Sequence, residues 1–252
     1  MFEVSLNLVM MLVGAAFLAG FVDAIAGGGG LITLPALLLA GASPIEALST
    51  NKVQGSFGAA TAALYYARAG KVDLREQRVP AIVALGAGLL GALLATRLPT
   101  ETLHLIIPLI LIGVALFFAL KTGLSDEDRV QRIRPEVFTA FFVPLIGTYD
   151  GMIGPGAGAF YMIGFVTLAG YGILKATAHT KLLNFSSNIG GLLIFAIFGA
   201  TWWMTGIVMG IAQIAGATLG ARLAVRVGAN VIRPLLVITS VALALRVFVQ
   251  ML

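Results

Sequence analysis

Apolar stretches follow one another along almost the whole chain, separated by short polar or glycine-rich corners. They fall at 4–26, 31–41, 46–67, 79–97 and 102–120, and again at 136–153, 156–169, 174–199, 203–221 and 230–250. A bilayer crossing needs roughly 20 apolar residues in helical form. The pattern therefore predicts an all-α integral membrane protein with five helical segments in each half. Segment 31–41 is short for a crossing, which favours a broken or re-entrant arrangement there. Whether 4–41 and 136–169 cross fully or dip in and out stays open at this level.

Composition strengthens the membrane reading. Of 252 residues, 59% are apolar and only 11% charged, too few charges to cover a soluble protein of this size. Mean hydropathy is +1.01. The length leaves no room for a separate soluble domain once about ten helices are placed. The sequence has no cysteine, which removes disulfides, iron–sulfur clusters and thiolate metal sites. A net charge of +5 raises the question of nucleic acid, but the basic residues sit in short loops between apolar segments, where topology explains them. The run ending Ala24-Ile25-Ala26 has the look of a secretory signal with its cleavage site. That reading fails because Glu3 precedes it with no Lys or Arg, and because the same kind of segment recurs mid-chain.

The recurrence is a duplication. Phe21-Val22-Asp23-Ala24-Ile25-Ala26-Gly27 parallels Thr148-Tyr149-Asp150-Gly151-Met152-Ile153-Gly154, and Ser49-Thr50-Asn51-Lys52 parallels Ala178-His179-Thr180-Lys181. Gly91-Ala92 through Arg97-Leu98 parallels Gly216-Ala217 through Arg222-Leu223, and Pro108 pairs with Pro234. Four landmarks in one order divide the chain into a first repeat (1–121), a cytoplasmic linker (122–135) and a second repeat (136–252). Lys and Arg cluster at 68–80, 121–135 and 222–233, which places those stretches on the cytoplasmic side. Arg97 then lies outside and its counterpart Arg222 inside, so the expected repeats are inverted.

Candidate chemistry sits at the corners. Gly27, Gly28, Gly29 and Gly30, and in the second copy Gly154, Gly156 and Gly158, each join a long apolar segment to a shorter one. Irregular backbone at membrane depth is tolerated where it lines a cavity, and half-helix N-termini there attract anions. The alternative is that these glycines serve close helix packing. The letters around Gly151 to Gly158 also suggest a dinucleotide fingerprint, but strand context and a following acidic residue are missing.

Lys52 and Lys181 lie in otherwise apolar helices, flanked by Asn51, Gln54, His179, Thr180, Asn184, Ser186, Ser187 and Asn188. Lys181, Asn184 and Asn188 recur at spacings that share one helix face. Two cations with Asn and Ser donors form a holder for an oxyanion; alternatively each Lys snorkels to an interface. Asp23 and Asp150 would repel an anion. They either take a coupling proton or sodium ion, or brace the corners by pairing with a Lys or accepting N–H groups. His179 joins the candidates as a group that titrates near neutral pH, although a lone His on a helix is more often a hydrogen-bonded structural residue. Gln213, the one strongly polar side chain in its segment, is a weak candidate for the lining.

On these motifs, Asp23 to Gly30, Ser49-Thr50-Asn51-Lys52, Asp150 to Gly158 and His179-Thr180-Lys181 with Asn184, the sequence resembles the TauE/SafE sulfite exporter family over nearly its whole length. The resemblance implies transport of sulfite, sulfoacetate or related sulfur-containing anions across a bacterial cytoplasmic (inner) membrane. Together these readings give a secondary carrier working by alternating access. Its partners are a small anion, the lipid bilayer and a proton or sodium ion, with no nucleic acid and no cofactor; a homodimer is compatible. The alternatives are an anion channel with a half-helix constriction, or a permease for another carboxylate or oxyanion. Two histidines and no cysteine leave little for an enzyme to work with.

Overall fold

The computed structural model describes residues 2–103, 105–107, 109, 127, 128, 130–198, 201–228, 230–232, 234 and 235. Most of the expected segments at 102–120 and 230–250, with Pro108 and much of the 122–135 linker, lie outside the described residues.

The apolar stretches become helices α1 (Leu6–Ala26), α2 (Gly30–Leu39), α3 (Pro44–Arg68) and α4 (Arg78–Arg97) in the first half. In the second they become α5 (Val143–Met152), α6 (Ala157–Thr167), α7 (Ile173–Phe198) and α8 (Trp203–Val227). A helical turn at Pro135–Val137 and a π-helical stretch at Phe138–Phe142 lead into α5. No strand occurs among the described residues, so the all-α reading holds. Boundaries move by a few residues; the largest difference is α8, which runs on to Val227 and so carries Arg222 and Arg226 on the helix rather than in a loop.

Local signals fix several ends. Ser43, Pro44 and Glu46 start α3 with a capping box, in which the Ser43 N–H donates to Glu46 Oε2 at 2.8 Å and Glu46 N–H to Ser43 Oγ at 3.4 Å. The start of α8 is capped from afar. The Glu3 carboxylate accepts the N–H groups of Met204 and Thr205 at 3.1 and 3.2 Å and the Thr205 hydroxyl at 2.7 Å, placing a negative charge at a helix N-terminus.

Helices α1, α4, α7 and α8 are long and apolar enough to cross a membrane. By contrast, α2 and α6 have 10 and 11 residues. At a rise of about 1.5 Å per residue they reach about half the hydrocarbon thickness, so neither crosses alone. Large apolar side chains such as Leu18, Leu64, Ile82, Leu90, Leu145, Ile197 and Ile211 stand exposed on the outside, the surface a lipid-embedded helix presents.

Packing links the two halves more than it links each half to itself. α1 packs on α8 and α5 on α4, α3 lies against α8 and α7 against α4, and α3 meets α7 at the centre. Exchanging α1–α4 with α5–α8 turns this set of contacts into itself. The duplicated Gly-Ala blocks make the closest contacts. A Cβ on Gly91 of α4 would stand 2.0 Å from the Thr148 carbonyl oxygen of α5, and one on Gly216 of α8 would stand 2.0 Å from that of Phe17 on α1. Without a hydrophobic drive between helices in lipid, such backbone-to-backbone approach supplies van der Waals attraction across a wide seam.

Candidate functional site

The corners after α1 and α5 need backbone that side chains resist. Gly27 and Gly28 have φ of 74° and 109°, Gly154 and Gly156 of 97° and 82°, all in the region glycine enters freely. The two corners touch. A Cβ on Gly27 would lie 2.4 Å from the Ala159 nitrogen at the start of α6, and one on Gly30 would lie 3.2 Å from the Pro155 Cα. Each corner thus rests on the first turn of the other half's short helix.

Two ion pairs fasten this meeting point, each crossing between halves. Lys52 Nζ on α3 sits 3.0 Å from Asp150 Oδ1 on α5, and Lys181 Nζ on α7 sits 3.2 Å from Asp23 Oδ2 on α1. Each lysine also donates to the main-chain carbonyl of its aspartate, in the last turn of α1 or α5 where cations are favoured. Both lysines are 0% exposed.

The aspartates differ in their remaining partners. Asp23 Oδ1 accepts the N–H groups of Gly28 and Gly29 at 3.0 and 3.1 Å, bridging the end of α1 to the start of α2. Asp150 Oδ2 accepts from Asn184 at 2.7 Å, from the Ser187 hydroxyl and from Asn188 at 3.4 Å. Asp150 is consequently closed in, with a side chain 2% exposed against 16% for Asp23.

Beside the pairs lies a polar cavity of about 30 Å³, room for on the order of two waters. Its walls include Gly28, Gly29 and Gly30 from one corner, Gly154, Gly156 and Gly158 from the other, and the side chains of Asn51, Gln54, Asn184, Asn188, Asp23 and Asp150. On the first-half wall, Asn51 Oδ1 accepts from Thr33 at 2.6 Å and Gln54 at 2.7 Å, while Gln213 donates to Gln54 Oε1.

The candidate residues read from sequence divide accordingly. Twelve of them, the two Asp included, line this one cavity. Gly27 packs beneath it as backbone. Lys52 and Lys181 stand behind the aspartates, the expected alternative in which each Asp pairs with a Lys and, for Asp23, also accepts N–H groups of its corner. Neither snorkels and neither presents a free cation to an anion, because an unpaired charge at full burial costs several kcal/mol and a carboxylate from the opposite half relieves it. The expectation for His179 is corrected. It lies away from the cavity, in ring contact with Phe165 and Tyr171, and its Nδ1 donates to the Lys175 carbonyl at 2.9 Å.

Three contributors escaped the sequence reading or were undervalued by it. Gln213 lines the cavity. Thr33, the one polar residue of the otherwise apolar α2, ties that helix to Asn51. Gly55 lines the wall where an added Cβ would meet Asn188 Oδ1 at 3.5 Å, and no local pattern marks it.

Comparison with known proteins adds the family context. A family model described as sulfite exporter TauE/SafE matches residues 12–247. A probable membrane transporter protein, ORF9, of a Sinorhizobium species is 53% identical over 97% of this chain and 94% of its own length. The probable membrane transporter protein YfcA of Escherichia coli K12 is 44% identical over 97% and 91% respectively. A probable membrane transporter protein of Haemophilus influenzae is 40% identical over 94% and 93%. No solved structure matches.

Proposed function

The chain belongs to the sulfite exporter TauE/SafE family and is a multi-pass membrane transporter rather than an enzyme, and from that premise we propose a secondary carrier for a sulfur-containing oxyanion. The carrier sits in a bacterial inner membrane and moves sulfite, sulfoacetate or a close relative between its two sides by alternating access. The observation that carries this reading is the pair of reciprocal Lys–Asp bridges across the two halves, beside a cavity walled by amides.

The site works by exchange. Asn51, Gln54, Asn184 and Asn188 line the wall with amides. An anion takes over donors that Gln54 now gives to Thr33 and Asn51 and that Asn184 and Asn188 now give to Asp150. Gly30 and Gly158 bring the first turns of α2 and α6 to the same wall. The lysines supply charge once a carboxylate releases them. Asp23 is the more open of the two, so a proton taken there frees Lys181 for the anion and couples the two movements. At about 30 Å³ the cavity is smaller than a sulfur oxyanion, so on this reading the corners part to admit one.

The swap-symmetric packing supports two inverted repeats rocking against each other about this point. Each bridge spans the moving boundary, so one opens as the other holds.

Purified protein in proteoliposomes tests the reading. Labelled sulfite uptake is expected to saturate, to be accelerated by unlabelled sulfite on the opposite side, and to respond to an imposed pH gradient. Flux that rises linearly with concentration and ignores substrate on the far side would make the protein a channel and overturn the carrier.

A further inference from the structure

A second cavity, larger than the first, lies where the start of α4, the π-helical stretch before α5 and the turn between α6 and α7 come together. Its volume is about 130 Å³, close to the about 150 Å³ that admits a benzene-sized ligand in an apolar protein cavity. None of its lining residues belongs to the site described above.

Its walls carry aromatic rings and hydrogen-bond acceptors. Phe138, Phe165, Tyr171 and His179 form a connected array, with centroids 4.7 Å apart for Phe138 and Phe165, 5.6 Å for Phe165 and Tyr171, and 4.8 Å for Tyr171 and His179. The Lys175 carbonyl can only accept, so His179 Nδ1 carries the hydrogen of the neutral ring and Nε2 is left as an acceptor.

Gln77 lines the cavity, is 4% exposed, and its Oε1 has no hydrogen-bond partner among the described residues. A buried amide oxygen without a partner is destabilising, and a ligand N–H relieves it. Its neighbour Glu76 places a carboxylate at the exposed rim of the same cavity.

Arg75, Arg78, Arg132 and Arg134 flank lining residues in the sequence, but none forms an ion pair with Glu76 among the described residues. Lys175 stands over the Tyr171 ring at 4.2 Å from its centroid, but its charge is matched by Asp128 at 3.2 Å. Asp128 also holds the Gly172 N–H at 2.7 Å, which pins the turn that presents Tyr171.

From an orphan acceptor, a rim carboxylate and four aromatic rings around one ring-sized space, we propose that this cavity binds a small organic ammonium ion carrying an apolar or aromatic body. The ammonium group donates to Glu76 and to Gln77 Oε1, and the body lies against Phe138, Phe165 and Tyr171, where apolar and aromatic surfaces pack. Because the cavity is built from α4 of one half and from the second half's entry and turn, a bound amine ties the two halves at a point remote from the Lys–Asp bridges.

The test uses the full chain in detergent, with benzylammonium as probe and benzyl alcohol as its uncharged isostere. Benzylammonium is expected to raise the melting temperature saturably, and Glu76→Gln, an exposed substitution that leaves the fold intact, is expected to weaken it about tenfold, the value of one charge-assisted hydrogen bond. Gln77→Leu is expected to weaken the amine by a similar factor while raising the melting temperature of the ligand-free protein, because it removes the unsatisfied oxygen. The absence of a saturable shift overturns the proposal. So does a shift of equal strength with benzyl alcohol or in Glu76→Gln, which would mark the cavity as an apolar pocket without cation recognition.

Discussion

Lys52→Ala is expected to be the most damaging single change in the protein, costing about 3–5 kcal/mol of stability and all transport. The lysine is fully buried and its ammonium group faces Asp150, whose side chain is only 2% exposed. Removing it strands a carboxylate that Asn184, Ser187 and Asn188 solvate in part but do not neutralise. Thermal unfolding of purified variants reads the first loss and proteoliposome uptake the second. Lys52→Met combined with Asp150→Asn removes both charges and is expected to recover most of the stability while leaving transport absent. Lys181→Ala is expected to be milder in stability, since Asp23 has some exposure and keeps its two glycine N–H donors. A Lys52→Ala protein as stable as wild type would mean that the bridge does not exist in the membrane.

Gly27→Ala ranks second, for a different reason. Its φ of 74° strains any residue with a side chain, at about 1–3 kcal/mol. In addition, the new methyl would sit 2.4 Å from the backbone nitrogen of Ala159, which cannot swing aside as a flexible side chain would. The two corners must separate to admit it, so loss of transport is expected together with a lowered melting temperature. Gly41→Ala is the control: its φ of 97° carries the same strain, but an added Cβ would have nothing within 4 Å. It is expected to lose stability and keep transport. Equal transport defects in the two variants would show that backbone strain, and not contact between the corners, explains the result.

Much of the fold was legible because a bilayer imposes length and hydropathy on each crossing, and the described helices begin and end within a few residues of the apolar runs for that reason. The duplication placed matching Asp, Gly and Lys residues in each half before any coordinates did. That each Asp could pair with a Lys was legible, but which Lys it takes was not. Lys52 and Asp150 lie 98 residues apart, Lys181 and Asp23 158, and no local spacing says that each cation chooses the other half's aspartate.

The stripe of Lys181, Asn184 and Asn188 misled in the same way. The shared face does not mean shared partners in this structure: Lys181 turns to Asp23 and both amides donate to Asp150. His179 sits one turn from this stripe, but its ring faces the aromatic cluster beside the second cavity. A small residue such as Gly55 contributes by leaving space, which only the packing of its neighbours reveals.

On the proposed function an oxyanion binds in the cavity where the two glycine corners meet. Calorimetric titration of purified protein with sulfite, sulfate, sulfoacetate, thiosulfate and a carboxylate series tests this, run on wild type and on Asn51→Leu with Asn188→Leu. The double variant keeps the four charged residues of the Lys–Asp bridges, and its melting temperature confirms that it is folded. At least one sulfur oxyanion is expected to bind wild type at a single site per chain and to lose about tenfold or more in affinity in the double variant. Binding of undiminished strength in that variant would place the anion elsewhere, and no binding of any of these anions to a folded wild type would rule out an oxyanion site.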